Sequence, residues 1–360
     1  MAHRVLFLPG DGVGPELLAA AQVVLRATGV RLKVETMDYG RSYERTHGRG
    51  LVGLSVPVSE KHLDAIQRLG TVLKGPIEID PKTPLLELRG RRFTSANQAL
   101  RKIFQLYANV RPCRFLEGVK GVKSVKAAFP DTNLVVVREN TEGMYTGEER
   151  WEGEAGSSAV ATRRITREGT LRVARFAFDF AQKHGRKKVT VAHKANVLRL
   201  SDTLFLNCCR EVSAAYPQIQ YTEQLCDSLL TAMVMHPGRW DVILCENLYG
   251  DLVSDLAAGL VGGLGLAPSA LYGDQGVAIF EPAHGSAPDI AGKGIVNPTS
   301  MLLSASMMLD HLGEVEAARR LEAALATIRE GETTPDLGGK AGTMQMAEAV
   351  AKKLRTNSKI

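Results

Sequence analysis

Cysteine is scarce and badly spaced for cross-linking. The 360 residues hold five, at 113, 208, 209, 226 and 245. The number is odd, with no Cys-x-x-Cys pair and no Cys/His ligand spacing, which argues against a disulfide framework and structural zinc and for a reducing compartment. Aromatic residues are few, at 6%. None interleaves with the basic clusters Arg89-Gly-Arg-Arg92 and Lys183-His-Gly-Arg-Lys-Lys188, which read as solvated charge, so no nucleic-acid partner is expected. Long hydrophobic runs are missing too. The longest uncharged stretch, Leu256 to Gly273, is broken by five glycines and Pro268, short of the roughly twenty apolar residues of a membrane span. It reads as a buried helix leading into a loop. Neither sign of charge dominates: 45 basic against 39 acidic residues leave +6, as compatible with an anionic small molecule as with nucleic acid. A signal peptide is not visible, since the first residues run into an apolar strand at Val5 to Leu8. The expected location is the cytoplasm, or the mitochondrial matrix if a transit peptide has been removed.

What is present is an alternation of short apolar runs with helical patterns. Strands are expected at Val5–Leu8, Leu32–Thr36, Thr71–Lys74, Leu134–Val137, Lys188–Ala192, Val242–Cys245 and Val277–Phe280. Between and after them, helices are expected at Ser59–Leu69, Glu168–His184 (with Gly185 as a C-terminal cap), from an N-cap at Ser201, and at Ser300–Leu312, Val315–Arg329 and Thr343–Leu354. This order predicts an α/β protein with a largely parallel sheet, and the length suggests about two domains. After the first strand, Gly10, Gly12 and Gly14 alternate without a third glycine at the offset of the dinucleotide fingerprint, so the turn is not a Rossmann phosphate loop.

The chain is organised around Glu281-Pro-Ala-His-Gly-Ser-Ala-Pro-Asp-Ile-Ala-Gly-Lys-Gly-Ile-Val-Asn297. Three glycines and two prolines in seventeen residues make this a loop whose backbone can approach a ligand closely. His284 can stack on a base. Asp289 can accept from both hydroxyls of a bare ribose and would repel a 2′-phosphate; the competing reading is an ordinary surface turn. Arg101, Arg111 and Arg138 suit bidentate capture of carboxylates, or are three unrelated surface arginines. Asp251 and Asp255, four apart, share a helix face. Their repulsion would be relieved by a divalent cation such as Mg²⁺ or Mn²⁺, or they are acids favoured near a helix N-terminus.

The wording of the 281–297 loop resembles, almost letter for letter, the cofactor loop of the isocitrate/isopropylmalate/homoisocitrate dehydrogenase family, and the resemblance runs from residue 5 to about 350. It implies that family's fold: two domains sharing a large mixed, mostly parallel sheet, one built from 1–106 plus 262–360 and binding the cofactor. The other, 107–261, would carry the dimer interface and an arm at about 146–165 in which Trp151 anchors the contact. It implies NAD, because NADP-using members usually carry Lys and Tyr where this chain has Asp289 and Ile290. The cofactor contacts carried over are Thr83, Glu281, His284, Gly285, Ser286, Ala287, Asp289, Ile290, Asn297 and Asp336.

The resemblance further implies Tyr145 and Lys194 as catalytic residues, and Ser95, Asn97, Arg101, Arg111, Arg138 and Asn196 around the substrate. Asp227, Asp251 and Asp255 would hold Mg²⁺ or Mn²⁺, with Lys194 and Asp227 supplied by the neighbouring subunit, so that a homodimer or higher homo-oligomer is required. Ser95-x-Asn97 is similar to the isocitrate-specific members, which points to a tricarboxylate. The chain departs from the family pattern in a longer interval around Lys82-Thr-Pro84, which leaves homoisocitrate, isopropylmalate or tartrate as alternatives. A non-catalytic regulatory subunit is the rival of another class; intact Tyr145, Lys194 and the three aspartates speak against it.

Overall fold

In the computed structural model, residues 2–40, 58–78, 85–116 and 129–357 are described. The strands are β1 (His3–Leu8), β2 (Leu32–Thr36), β3 (Thr71–Lys74), β4 (Leu86–Leu88), β5 (Arg91–Phe93), β6 (Ala108–Arg114), β7 (Asn133–Glu139), β8 (Glu149–Glu152), β9 (Ser158–Ala161), β10 (Lys188–His193), β11 (Gln220–Leu225), β12 (Val242–Cys245), β13 (Pro268–Tyr272) and β14 (Ala278–Pro282). The helices are α1 (Gly14–Ala27), α2 (Glu60–Leu69), α3 (Ala96–Ile103), α4 (Arg167–Lys183), α5 (Ser201–Ser213), α6 (Cys226–Met235), α7 (Asn247–Val261), α8 (Thr299–His311), α9 (Val315–Ala326) and α10 (Thr343–Asn357).

Ten strands form one sheet in the order β11-β10-β12-β7-β6-β13-β14-β3-β1-β2. Two parallel blocks, β2-β1-β3-β14 and β7-β12-β10-β11, are joined through antiparallel pairings of β13 and β6. The expected mixed, mostly parallel sheet is the observed one. β4–β5 and β8–β9 are separate hairpins. Among the described residues no helix is long and apolar enough to cross a membrane.

Helices cover both faces, so the strands read as continuous apolar runs rather than as alternating ones. Successive residues nevertheless point to opposite faces. Val5 and Phe7 join a core with α1, α8, α9 and α10, whereas Leu6 and Leu8 join one with α2 and α3. In β7, Val135 and Val137 pack under α4 and α5, while Leu134 and Val136 pack under α6 and α7.

Two sequence expectations need correction. The uncharged stretch 256–273 is not a helix and loop alone: α7 stops at Val261 before Gly262 (φ 125°), and Pro268–Tyr272 then forms a central strand. Proline is tolerated as the first residue of that strand, and five residues are too few to display a period. Ser201 is not an N-cap: it opens α5 and accepts a hydrogen bond from Arg163 Nη1 at 2.6 Å.

Candidate active site

Period-two alternation places four charged side chains on the sheet face covered by α2, α3, α6 and α7. Lys74 follows Val72, Glu281 follows Ile279, Arg138 follows Val136, and Arg111 precedes Cys113, each on the side of its partner. Lys74 and Glu281 form an ion pair in which the lysine is 2% exposed. Burial alone would push the Glu281 carboxyl up, but Lys74, Arg101 and Arg111 outweigh it and hold it below the usual range.

Over this floor stands α7, whose N-cap Glu246 accepts from the Tyr249 amide at 3.0 Å. Arg138, fully buried, donates from Nε (3.0 Å) and Nη2 (2.7 Å) to Asn247 Oδ1, and from Nη1 to Asp251. Arg111 Nη1 donates to Ser254 Oγ (2.8 Å) and Asp255 Oδ1 (3.0 Å). The counter-charge facing Asp251 and Asp255 in this chain is therefore a pair of arginines. Gly250 makes the approach possible, because a Cβ there would lie 2.5 Å from Arg138 Cγ. Asn247, Gly250 and Ser254 were missed at the sequence level. They sit in the same helical stretch as the two acids, at positions facing the strand below.

Tyr145 donates its hydroxyl to Asp251 Oδ2 at 2.6 Å, with Arg138 stacked over its ring at 4.9 Å. Burial and then the Asp251 charge raise the phenol pKa above its ordinary value. For Asp251, burial is outweighed by Arg138, Tyr145 and the other arginines, so its carboxyl is depressed. Asp255 is raised, by burial first and then by Asp251, against the opposing Arg111.

Arg101 is different in that it donates no hydrogen bond to the described residues. It lines a cavity of about 210 Å³ with Ser95, Asn97, Arg138, Tyr145 and Asp251. Asn97 and Arg101 also border a water-sized cavity of about 10 Å³ that reaches Lys74 and Glu281. Ser95 is the N-cap of α3, its Oγ accepting from the Gln98 amide at 3.2 Å, which leaves its hydroxyl proton uncommitted. A larger groove of about 570 Å³ opens on the opposite sheet face, between α4 and α8, and holds none of the candidate residues.

Lys194 and Asp227 meet each other rather than the cavity. Lys194 Nζ donates to Asp227 at 2.7 Å, and that hydrogen bond holds the carboxyl below its ordinary value. Asn196 is exposed nearby. Among the described residues, no group of three or more His, Cys, Asp or Glu gathers as a cation site. Asp227 is thus not brought beside Asp251 and Asp255 within one chain. Exposed apolar side chains lie in the same segments, Leu200 (88%) beyond Lys194, Val234 and Met235 on α6, and Leu252 on α7.

The glycine loop folds back on the first turn of the chain. Val13 N–H donates to Ser286 O at 2.9 Å, and only glycine fits at position 12 (φ 55°), where a Cβ would come within 1.9 Å of that same oxygen. Ala287 is in the left-handed region at φ 40°. Gly285 and Asp289 are exposed, Ser286 is buried, and Ile290 packs against the core under α1. His284 Nδ1 donates to Gly285 O at 2.8 Å, while its buried Nε2 has no partner among the described residues. Burial lowers the imidazole pKa, so the ring is neutral and Nε2 is an acceptor. Asn297 Nδ2 donates to Asp336 at 3.0 Å, tying the 334–338 turn to this loop. Thr83 lies outside the described residues.

The chain is similar to known proteins along nearly its whole length. The family profile described as isocitrate/isopropylmalate dehydrogenase matches residues 4–350. A probable mitochondrial NAD isocitrate dehydrogenase subunit alpha of Drosophila melanogaster is 44% identical over 354 residues, 98% of this chain and 87% of that protein. An isocitrate/homoisocitrate dehydrogenase of Thermus thermophilus is 44% identical over 358 residues, 99% of this chain and 100% of that protein. Among solved structures, the isocitrate dehydrogenase of Methylococcus capsulatus superposes with a TM-score of 0.87 at 43% identity, covering 98% of this chain and 99% of that one.

Proposed function

We propose a reaction from one premise: the chain belongs to the isocitrate/isopropylmalate dehydrogenase family and is an enzyme. The reading best supported is NAD-dependent oxidative decarboxylation of isocitrate to 2-oxoglutarate and carbon dioxide. One observation carries it. Arg101, with its donors unspent, shares a cavity with Ser95, Asn97 and Arg138 beside Tyr145, an arrangement suited to an acid with several carboxylates. A hydroxyl and an amide at the cavity edge match a terminal carboxylate better than an isopropyl group.

The residues fit the implied groups. Asp251 and Asp255 supply hard oxygens on one helix face, and the Nε2 of His284, unpartnered among the described residues, with the exposed carboxylate of Asp289 suits an adenosine. When bound, NAD would accept a hydride from C2, and Mg²⁺ or Mn²⁺ held by Asp251, Asp255 and Asp227 of a second copy would polarise the C2 hydroxyl and its carboxylate. Arg101, Arg111 and Arg138 hold the substrate carboxylates, and Ser95 with Asn97 reads the terminal one. Lys194 of the second copy, through its Asp227 contact, takes the hydroxyl proton. Tyr145 gives a proton to the enol carbon after carbon dioxide leaves.

Sharing of sites between two copies accounts for the separation of Lys194–Asp227 from Asp251 and for the exposed Leu200, Val234, Met235 and Leu252, which would be covered in a homodimer. The proposed division is 1–106 with 262–360 for the cofactor and 107–261 for the dimer contact.

The deciding assay offers isocitrate, homoisocitrate and isopropylmalate with Mg²⁺, each with NAD and with NADP. The highest kcat/KM is expected for isocitrate with NAD; preference for either other acid replaces the substrate and keeps the chemistry. In the same assay, Asp289→Lys with Ile290→Tyr should move preference toward NADP, and unchanged NAD preference would count against the ribose role of Asp289. Arg101→Met should lower kcat/KM for the preferred acid by about 30-fold or more, the cost of an unpaired buried charge, mostly through KM. A variant with wild-type KM would remove Arg101 from the binding set.

A further inference from the structure

We propose that Arg163, at the root of the 146–165 arm, is a positioning residue that holds two parts of the catalytic apparatus in register. The inference rests on the roles given above to Lys194, Asp251 and Asp255. Arg163 Nη1 donates its hydrogen bond to Ser201 Oγ and lies 2.7 Å from Asp202 Oδ1, and its Nη2 lies 3.6 Å from Glu246 Oε2. It thus meets both carboxylates as charge rather than through hydrogen bonds. Its guanidinium also covers the Tyr249 ring at 5.4 Å. Asp202 and Glu246 are 2% and 1% exposed, and among the described residues no other cation pairs with either.

Each carboxylate has a second task. Asp202 Oδ2 accepts the backbone N–H of Lys194 at 2.5 Å and so fixes the main chain of the candidate base. Glu246 caps α7 through the Tyr249 amide at 3.0 Å and so fixes the start of the helix that carries Asp251 and Asp255. One guanidinium therefore answers two buried negative charges, one on each element. Without it the carboxylates repel each other with no compensating charge, and the Lys194 turn and the α7 N-terminus move apart. Because Lys194 serves a second copy's site and Asp251 its own, Arg163 links the two sites of a dimer through the arm.

The test compares Arg163→Gln, Arg163→Lys, Asp202→Asn and Lys194→Met as purified full-length enzymes. For each, oligomeric state, melting temperature, kcat, and KM for NAD and the preferred acid are measured. Arg163→Gln and Asp202→Asn, assayed as folded oligomer, are expected to lose on the order of 10- to 100-fold in kcat, the scale of an ångström-sized misplacement, with KM for NAD unchanged. Arg163→Lys, which restores the charge but not the fork, should recover part of that loss. A purely structural role would lower the melting temperature and leave kcat per folded site alone. Wild-type kcat in folded Arg163→Gln or Asp202→Asn overturns the proposal, and Asp202→Asn carries the test if Arg163→Gln does not fold. If Lys194→Met is inactive while those variants turn over normally, this inference alone falls. Normal turnover in Lys194→Met removes the role of Lys194 and the inference with it.

Discussion

Replacing Tyr145 by Phe will lower kcat by about two to four orders of magnitude, the range of a lost general acid, and leave KM for the acid substrate little changed. The ring itself is held by Arg138 at 4.9 Å, a contact phenylalanine keeps, so the substitution deletes the hydroxyl without moving its surroundings. Burial and the Asp251 charge raise the phenol pKa. The group therefore carries its proton throughout the neutral range, as an acid must, and the raised value extends that range upward. Asp251 loses one donor and retains Arg138. Rapid-quench measurement should show reduced cofactor formed in the first turnover with release of protonated product slowed. A variant of full turnover would take Tyr145 out of the chemistry.

Lys194→Met and Asp251→Asn will each reduce turnover by about three orders of magnitude or more on the same scale of proton-transfer and charge effects. For Asp251 the loss has a structural side. Its carboxylate is where Arg138 and Tyr145 converge, with Arg111 3.6 Å away, and neutralising it leaves clustered guanidiniums without their main counter-charge. Because its folded-state pKa is depressed, Asp251 stabilises the fold above its ordinary value of about 3.9, and that contribution is lost as pH falls through the lower folded value. Asp251→Asn should accordingly flatten the acid side of the melting-temperature profile. Lys194→Met should flatten it much less, since the pair it breaks, with the depressed carboxyl of Asp227, is solvent-exposed.

Much of this architecture can be read from residues in order, and the exceptions have a common cause. β1, β3, β7, β10, β12 and β14 announce themselves as apolar runs because both sheet faces are covered. β13 does not, since Pro268 and a glycine-rich approach hide a short strand whose identity is set by β6 and β14 on either side. Arg111 is recognisable as a carboxylate-binding type, but its hydroxyl partner Ser254 lies 143 positions away. The hold of Asn247 on Arg138, across 109 positions, is equally silent. Arg163 has no local signature at all; its meaning appears only when the arm root, the Lys194 turn and the head of α7 come together. The aspartates are legible in part: four-residue spacing places Asp251 and Asp255 on one helix face, but not the arginines, Arg111 and Arg138, that face them from the sheet.

The most direct test of the central claim, that each active site draws Lys194 from one copy and Asp251 from another, is to mix two inactive proteins. Lys194→Met and Asp251→Asn are unfolded together, refolded and assayed with Mg²⁺, NAD and the preferred acid. In a mixed dimer one site contains both intact residues and the other contains neither, so random pairing should restore about a quarter of wild-type activity. No recovery, with mixed dimers demonstrably formed, would place both residues' functions within a single chain and contradict the account.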